Sequence, residues 1–345
     1  MTVRPLRSGC RIGAGAVLAG ALLLALAEPA AADAAGPTDY RTDIVAIAPS
    51  TDAVAVEMIG GDSFIQLTVA DGVEVLVVGY QGEPYLRFDA DGAVLQNENS
   101  PARWLNDDRY ADTELPPNAD AEADPDWLQV ADNGQFAWHD HRTHWMNPAK
   151  PPGVEPGDTV LEAVVPLVVD GADVEVAVRS VLLDPPPVWP IVAGVLSAAA
   201  ACALAIRLLG ARWGTGLVVT VGATVATVFG AWAYRSVPAE TGPSTMLWLL
   251  PLVALVAVGQ PAVIGRRKPQ APTLDLLVGL AGAELALWGW LRRDALTRAL
   301  IPSDAPAALD RAVIVASMVI GAVAVAVAIS RVVQPPTLAP VTPTT

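Results

Sequence analysis

Five apolar runs, each close to the ~20 residues that cross a bilayer, fill the chain from Val188 onward. They are Val188–Leu208, Gly216–Tyr234, Met246–Ile264, Leu274–Leu291 and Ala312–Ser330. A lipid interior leaves helices as the only way for such runs to satisfy their backbone. Residues 187–331 are therefore expected to form a five-span helical domain. Pro185-Pro186-Pro187 marks its start as a stiff connector that no strand can continue through.

Charge divides the chain at the same place. Between Asp33 and Pro187 there are 29 Asp+Glu against 7 Lys+Arg, a net of −22, whereas from Val188 onward 6 stand against 11, a net of +5. A segment that acidic repels nucleic acid and anionic headgroups and suits cationic partners or metal ions. The only cysteines are Cys10 and Cys202, so residues 33–186 hold neither a disulfide framework nor a thiolate metal site.

Ahead of the acidic half, Arg4, Arg7 and Arg11 precede the apolar run Ile12–Ala27 and the small residues Ala30-Ala31-Ala32. This is the pattern of a signal peptide over 1–32, which places the following domain outside the cytoplasm. Sidedness then follows. Arg207, Arg212, Arg266-Arg267-Lys268 and Arg331 fall on the inner side, as the positive-inside rule asks, and the tail 332–345 is a disordered cytoplasmic end. Arg292, Arg293, Arg298 and Arg311 fall in an outer connection and strain the rule.

Within 33–186 the apolar period is two. Ala53–Ile59, Phe64–Val69, Val73–Val78, Tyr85–Phe88, Thr159–Val169 and Val174–Leu183 read as short strands divided by Gly/Asp turns, Asp170-Gly171 among them. The expected fold is an all-β sandwich of about seven to nine strands, immunoglobulin-like in the loose sense. Asn97–Asp132 breaks the pattern as a long loop rich in Asn, Asp and Pro. Its carboxylates and amides (Asn97, Glu98, Asn99, Asn106, Asp107, Asp108) match no Ca²⁺-loop spacing and read better as a solvated acidic loop.

Every histidine of the chain lies in Trp138-His139-Asp140-His141-Arg142-Thr143-His144-Trp145-Met146. If Phe136–His141 continues as a strand, His139 and His141 project from one face, and His144 returns from a turn as a third ligand. Three neutral imidazoles suit copper or zinc, and Met146 would add a soft sulfur for Cu(I). The same residues also fit a packed scaffold for an interaction or envelope-associated module. In that case Asp140 and Arg142 pair with each other, or Asp140 orients an imidazole. No G-x-S-x-G element accompanies the histidines, so hydrolytic catalysis is not expected. In the spans, Glu284 is the one acid well inside, beside the small residues Gly279, Gly282, Ala283 and Ala286. That is a functional-site hypothesis set against a helix-packing face.

Three stretches, Gly79–Phe88 (GYQGEPYLRF), Asn97–Pro101 (NENSP) and Ala137–Met146, resemble an uncharacterised family of actinobacterial exported membrane proteins. The Ala/Val/Pro-rich composition agrees with such a source. The resemblance implies the same two-part architecture and brings no catalytic residues. A looser similarity is to bacterial copper-resistance membrane proteins that carry an exported β-sandwich. Those place a copper-binding histidine at the mature N-terminus, whereas here none precedes His139.

Overall fold

The computed structural model describes residues 35–263 and 271–333. The leader, the basic triplet Arg266–Lys268 and the tail from 334 lie outside the described residues. Among the described residues ten strands form, more than the seven to nine expected, and all pair antiparallel. They are β1 (Tyr40–Ala48), β2 (Val54–Ile59), β3 (Phe64–Val69), β4 (Val75–Val78), β5 (Pro84–Phe88), β6 (Val94–Asn97), β7 (Trp127–Ala131), β8 (Gln135–Trp138), β9 (Thr159–Val169) and β10 (Ala172–Leu182). Seven make one sheet in the order β1-β10-β9-β4-β5-β6-β7, and β2-β3-β8 make a second. One core joins them. Ile65, Leu67, Phe136 and Trp138 from the small sheet meet Val77, Leu86, Phe88, Leu167 and Val176 from the large one. The alternation read from the sequence is the alternation of these inward side chains.

The acidic segment after β6 is not a plain loop. It contains a short helix, α1 (Pro101–Leu105), and then β7. The resembling stretches build this corner. Buried Glu83 accepts from Gln81 N (2.8 Å), from Ser100 Oγ (2.8 Å) and from Ala102 N (3.3 Å), so its carboxylate caps α1 in place of the Ser100 side chain. A β-carbon on Gly79 would sit 2.0 Å from that carboxylate, which is why only glycine fits there. Asn97 ties the strand ends, donating to Pro84 O and accepting from Asn99 N and Asp126 N. With Glu98 and Asp107 on Arg103, and Asp108 on Tyr110 N and Asp112 N, these polar groups serve the loop itself.

Four helices follow: α2 (Trp189–Arg235), α3 (Met246–Val263), α4 (Ala271–Leu291) and α5 (Ala307–Val333). Among the described residues three helices are long and apolar enough to cross a membrane, namely Trp189–Arg235, Thr273–Leu291 and Ala307–Arg331, while Met246–Gly259 is apolar but shorter. The 47-residue α2 contains the first two expected runs and is interrupted at Gly210 (φ 78°, ψ 163°). A β-carbon on Gly214 would lie 2.4 Å from the carbonyl of Ala205. Nine residues along a straight helix span about 13.5 Å, so the chain turns back on itself here. Gly210 supplies the left-handed backbone that the reversal needs.

Small residues set the spacing between helices. Added β-carbons on Gly279, Gly282 and Gly321 would lie 2.6 Å from Ala328 Cβ, 2.5 Å from Ala324 Cβ and 2.3 Å from Gly282 O. Glu284 is half-buried on α4, and its Oε2 has no hydrogen-bond partner. At one end of the bundle Asp275 receives Arg212 (2.8 Å) and Arg331 (3.1 Å). At the other, the connections 236–245 and 292–306 meet the β domain.

Three of the arginines that strained the positive-inside rule are engaged by protein groups in or beside this connection. Arg292 grips Asp310 through two bonds of 2.9 Å, and Arg311 donates to the carbonyls of Ala295, Arg298 and Ala299. Arg298 reaches Asp39 at 2.6 Å, and Thr38 and Leu300 exchange both backbone hydrogen bonds. Arg292, Arg298 and Arg311 are thus each held by acids or carbonyls of the protein.

Pro251 lies within α3 and has no N–H to give Leu247 O four residues earlier; Trp288 Nε1 of α4 donates to that carbonyl instead (2.6 Å). Trp288→Phe should therefore lower stability in detergent by about 1 kcal/mol. In the Pro251→Ala background, where the backbone supplies its own donor, the loss should shrink. A double-mutant cycle of thermal melts checks the coupling.

Candidate metal centre

Strand β8 ends at Trp138, so His139 and His141 do not share a strand face as expected. A turn brings them together instead. Asp140 is extended, and His141–Thr143 form one 3-10 turn capped by the Asp140 side chain, which accepts from Arg142 N (3.0 Å), while His141 N donates to Tyr80 Oη. The three imidazoles gather around this turn, with ring centroids 4.4 Å (His139–His144), 5.5 Å (His139–His141) and 5.6 Å (His141–His144) apart. One ligand nitrogen from each lies within 4.8 Å of the others, an arrangement able to hold a metal ion. Bonds of about 2.0–2.1 Å to a tetrahedral ion would draw them to roughly 3.4 Å, a small rotation of each ring.

Each ring has one nitrogen spoken for. His139 Nδ1 lies 2.7 Å from Ser63 O, His141 Nε2 lies 2.9 Å from Asp108 O, and His144 Nδ1 lies 3.1 Å from Trp145 O. A carbonyl only accepts, so each of these nitrogens carries the proton and the opposite nitrogen keeps a lone pair. The opposite nitrogens of His139 and His144 are buried with no hydrogen-bond partner. Backbone carbonyls thus do the orienting that carboxylates do in many metal sites.

Asp140 orients no imidazole. It is fully buried and accepts from Trp138 Nε1 (3.0 Å) and from Arg142 N, Nε and Nη2 (3.0, 2.8 and 2.7 Å). Burial alone would raise its pKa, but the Arg142 charge and hydrogen bonds outweigh that and hold it below the usual carboxylate value. Arg142 also donates to Val78 O and covers the Tyr80 ring. Tyr80 in turn stacks on His141, accepts from His141 N (2.8 Å) and donates to Asn106 Oδ1. Met146 is exposed, and the group that converges is the three imidazoles. Glu284 stands apart in the bundle and takes no part.

The acidic segment delivers a further group that the sequence reading missed. Arg109 donates to buried Asp62 at 2.5 Å, and its charge acts on all three imidazoles. Burial pushes His139 down to about 4 and His144 down to about 2, with Arg109 acting in the same sense, and His141 also falls. The rings are therefore neutral at pH 7, as ligands must be. Ser63 and Asp108 were invisible as site residues because their backbone carbonyls, not their side chains, make the contacts. The turn Gly60-Gly61-Asp62-Ser63 was the one available signal. Comparison with family models, curated proteins and solved structures gave no match to this chain.

Two measurements check this arrangement. In metal-free protein kept with chelator, His139 is neutral when folded down to about pH 4 but protonates near 6.5 when unfolded. Its stabilising contribution is thus complete above pH 6.5 and is lost as pH falls from 6.5 towards 4, on the order of 3 kcal/mol. Melts against pH should show that decline, and His139→Gln should make it shallower by that amount, leaving the part that His144 and His141 contribute in the same direction. Asp140→Asn leaves Arg142 without its buried counter-charge and should cost about 3–5 kcal/mol in denaturant titrations at pH 7.

Proposed function

We propose that this chain is a multi-pass membrane protein whose β domain stands on the outer face and binds a transition-metal ion through His139, His141 and His144. The observation that carries the reading is the set of three imidazoles, each protonated toward a backbone carbonyl, with ligand nitrogens within 4.8 Å. Two of the rings also carry buried nitrogens that no protein group satisfies, a cost that a cation between the rings would relieve. Neutral nitrogen donors without thiolate suit copper or zinc.

The membrane reading takes five spans: the two arms of α2 on either side of Gly210, then α3, α4 and α5. Supporting it, both connections beside the β domain lie at one end of the bundle, and Arg212 and Arg331 lie at the other. Exposed Trp189, Trp232 and Trp290, near the β-domain ends of their helices, suit an interfacial aromatic belt. The signal-peptide pattern supplies the sidedness, and the resemblance to exported membrane proteins agrees with it.

A second reading, a β domain for envelope interactions with the cluster as scaffold, draws on the same carbonyl contacts, which tie three separate segments together. The two readings separate in one experiment. Full-length protein in detergent is titrated with Cu(II) and with Zn(II) at neutral pH by calorimetry, and melted with and without metal or chelator. Metal binding predicts one ion per chain, loss of binding in H139A/H141A/H144A, and stabilisation of about 2.7 kcal/mol at metal a hundredfold above Kd. No heat and no change in Tm with either ion would refute it and leave the scaffold reading, under which the triple variant loses several degrees regardless of metal.

A further inference from the structure

A cavity of about 280 Å³ opens beside the triad, at the seam between the β domain and the 292–306 connection. His139 itself lines it. So do Ser63, whose carbonyl holds His139, Trp145, whose carbonyl holds His144, and Arg109 and Tyr110, which directly follow the Asp108 carbonyl that holds His141. The neighbours of all three ligands thus reach one wall, which sets the cavity directly against the cluster. Its charged groups are Asp39, Arg109, Asp294 and Arg298, and Arg298 is paired with Asp39 at 2.6 Å.

Three imidazoles leave a tetrahedral ion one position short. Among the described residues no cysteine, aspartate or glutamate joins the group. A site with three protein ligands and a fourth position left open is the arrangement of reactive or exchangeable centres, not of closed structural ones.

Charge then decides what fills the gap. A divalent ion on three neutral rings carries +2, and the Arg109–Asp62 pair is neutral in sum. The ion would therefore sit in a largely buried, uncompensated positive site, which is costly unless an anion enters.

We infer that the centre takes a small exogenous anion, of the carboxylate or inorganic monoanion class, as its fourth ligand, entering through the seam cavity and held also by the Arg109 guanidinium. This rests on the metal-binding reading and adds an exchangeable coordination position to it. The volume fits, since a water occupies about 30 Å³ and the cavity admits an anion of a few heavy atoms with its hydration. A cation beside the metal favours an anion that bridges the two, with charge-assisted hydrogen bonds supplied by guanidinium.

The test uses full-length protein in detergent, loaded with Cu(II), with azide as the probe. Azide should produce a ligand-to-metal charge-transfer band that saturates, and excess formate should reverse it by competition. Arg109→Gln should retain copper and bind azide about tenfold or more weakly, the equivalent of one lost charge-assisted hydrogen bond. Arg109→Lys, which keeps the charge, should fall between that variant and wild type. Copper-loaded wild type that shows no azide band overturns the inference while leaving metal binding intact. An azide affinity unchanged in Arg109→Gln removes the role given to Arg109. A chain that binds no copper fails at the earlier reading, a result distinguished by the calorimetry. The wild-type titration decides the open position even where Arg109→Gln fails to fold.

Discussion

A carboxylate with no exposure to water is an expensive thing to fold around, and Asp140 is one. The surrounding structure is a set of answers to that cost. Trp138 donates from the last residue of β8, Arg142 donates from its backbone and its side chain, and the 3-10 turn between them takes its shape from those bonds. Removing either partner leaves an isolated buried charge, which is far worse than having neither. The histidines at 139, 141 and 144 are positioned as a by-product of this packing. The Asp140–Arg142 ion pair therefore holds the turn that carries the histidines.

A second layer of order comes from backbone carbonyls. Ser63 lies in the turn between β2 and β3, Asp108 in the acidic segment after α1, and Trp145 beside the cluster. Each fixes one ring by accepting its proton, and none contributes chemistry through its side chain. Arginine does the corresponding work at the membrane end. Arg292, Arg298 and Arg311 bind an acid or a group of carbonyls and join the connection 292–306 to itself and to Asp39. Charge counting along the sequence weighs all arginines alike, but a cation already satisfied by protein says little about which side of a bilayer it occupies.

Periodicity carried much of the fold. Strands β2, β3 and β9 fall where alternation and Gly/Asp turns put them, and the apolar runs become helices. What alternation could not convey was the pairing: β10 lies between β1 and β9, and β2, β3 and β8 leave for a second sheet. The acidic segment was misread as loop because α1 depends on Glu83 for its cap, a contact between residues 17 and 19 apart that local pattern does not record. The histidine cluster was legible as composition. Its geometry was not, since Phe136–His141 has strand-like residues and only the tertiary demand of Asp140 ends the strand early. Arg109 and Asp62 stand 47 residues apart and announce nothing individually.

The contacts at Thr38, Asp39 and Leu300 also bear on where one protein part ends and another begins. Pro185–Pro187 is an obvious place to cut, and composition changes abruptly there. Yet Asp294 and Arg298, far beyond the cut, form part of the cavity that His139 lines, and Leu300 pairs with the segment leading into β1. An excised domain ending at the prolines would keep every histidine and lose one wall of the cavity that His139 lines. The boundary drawn by hydropathy is a boundary of solvent environment, while the packing of the chain straddles it.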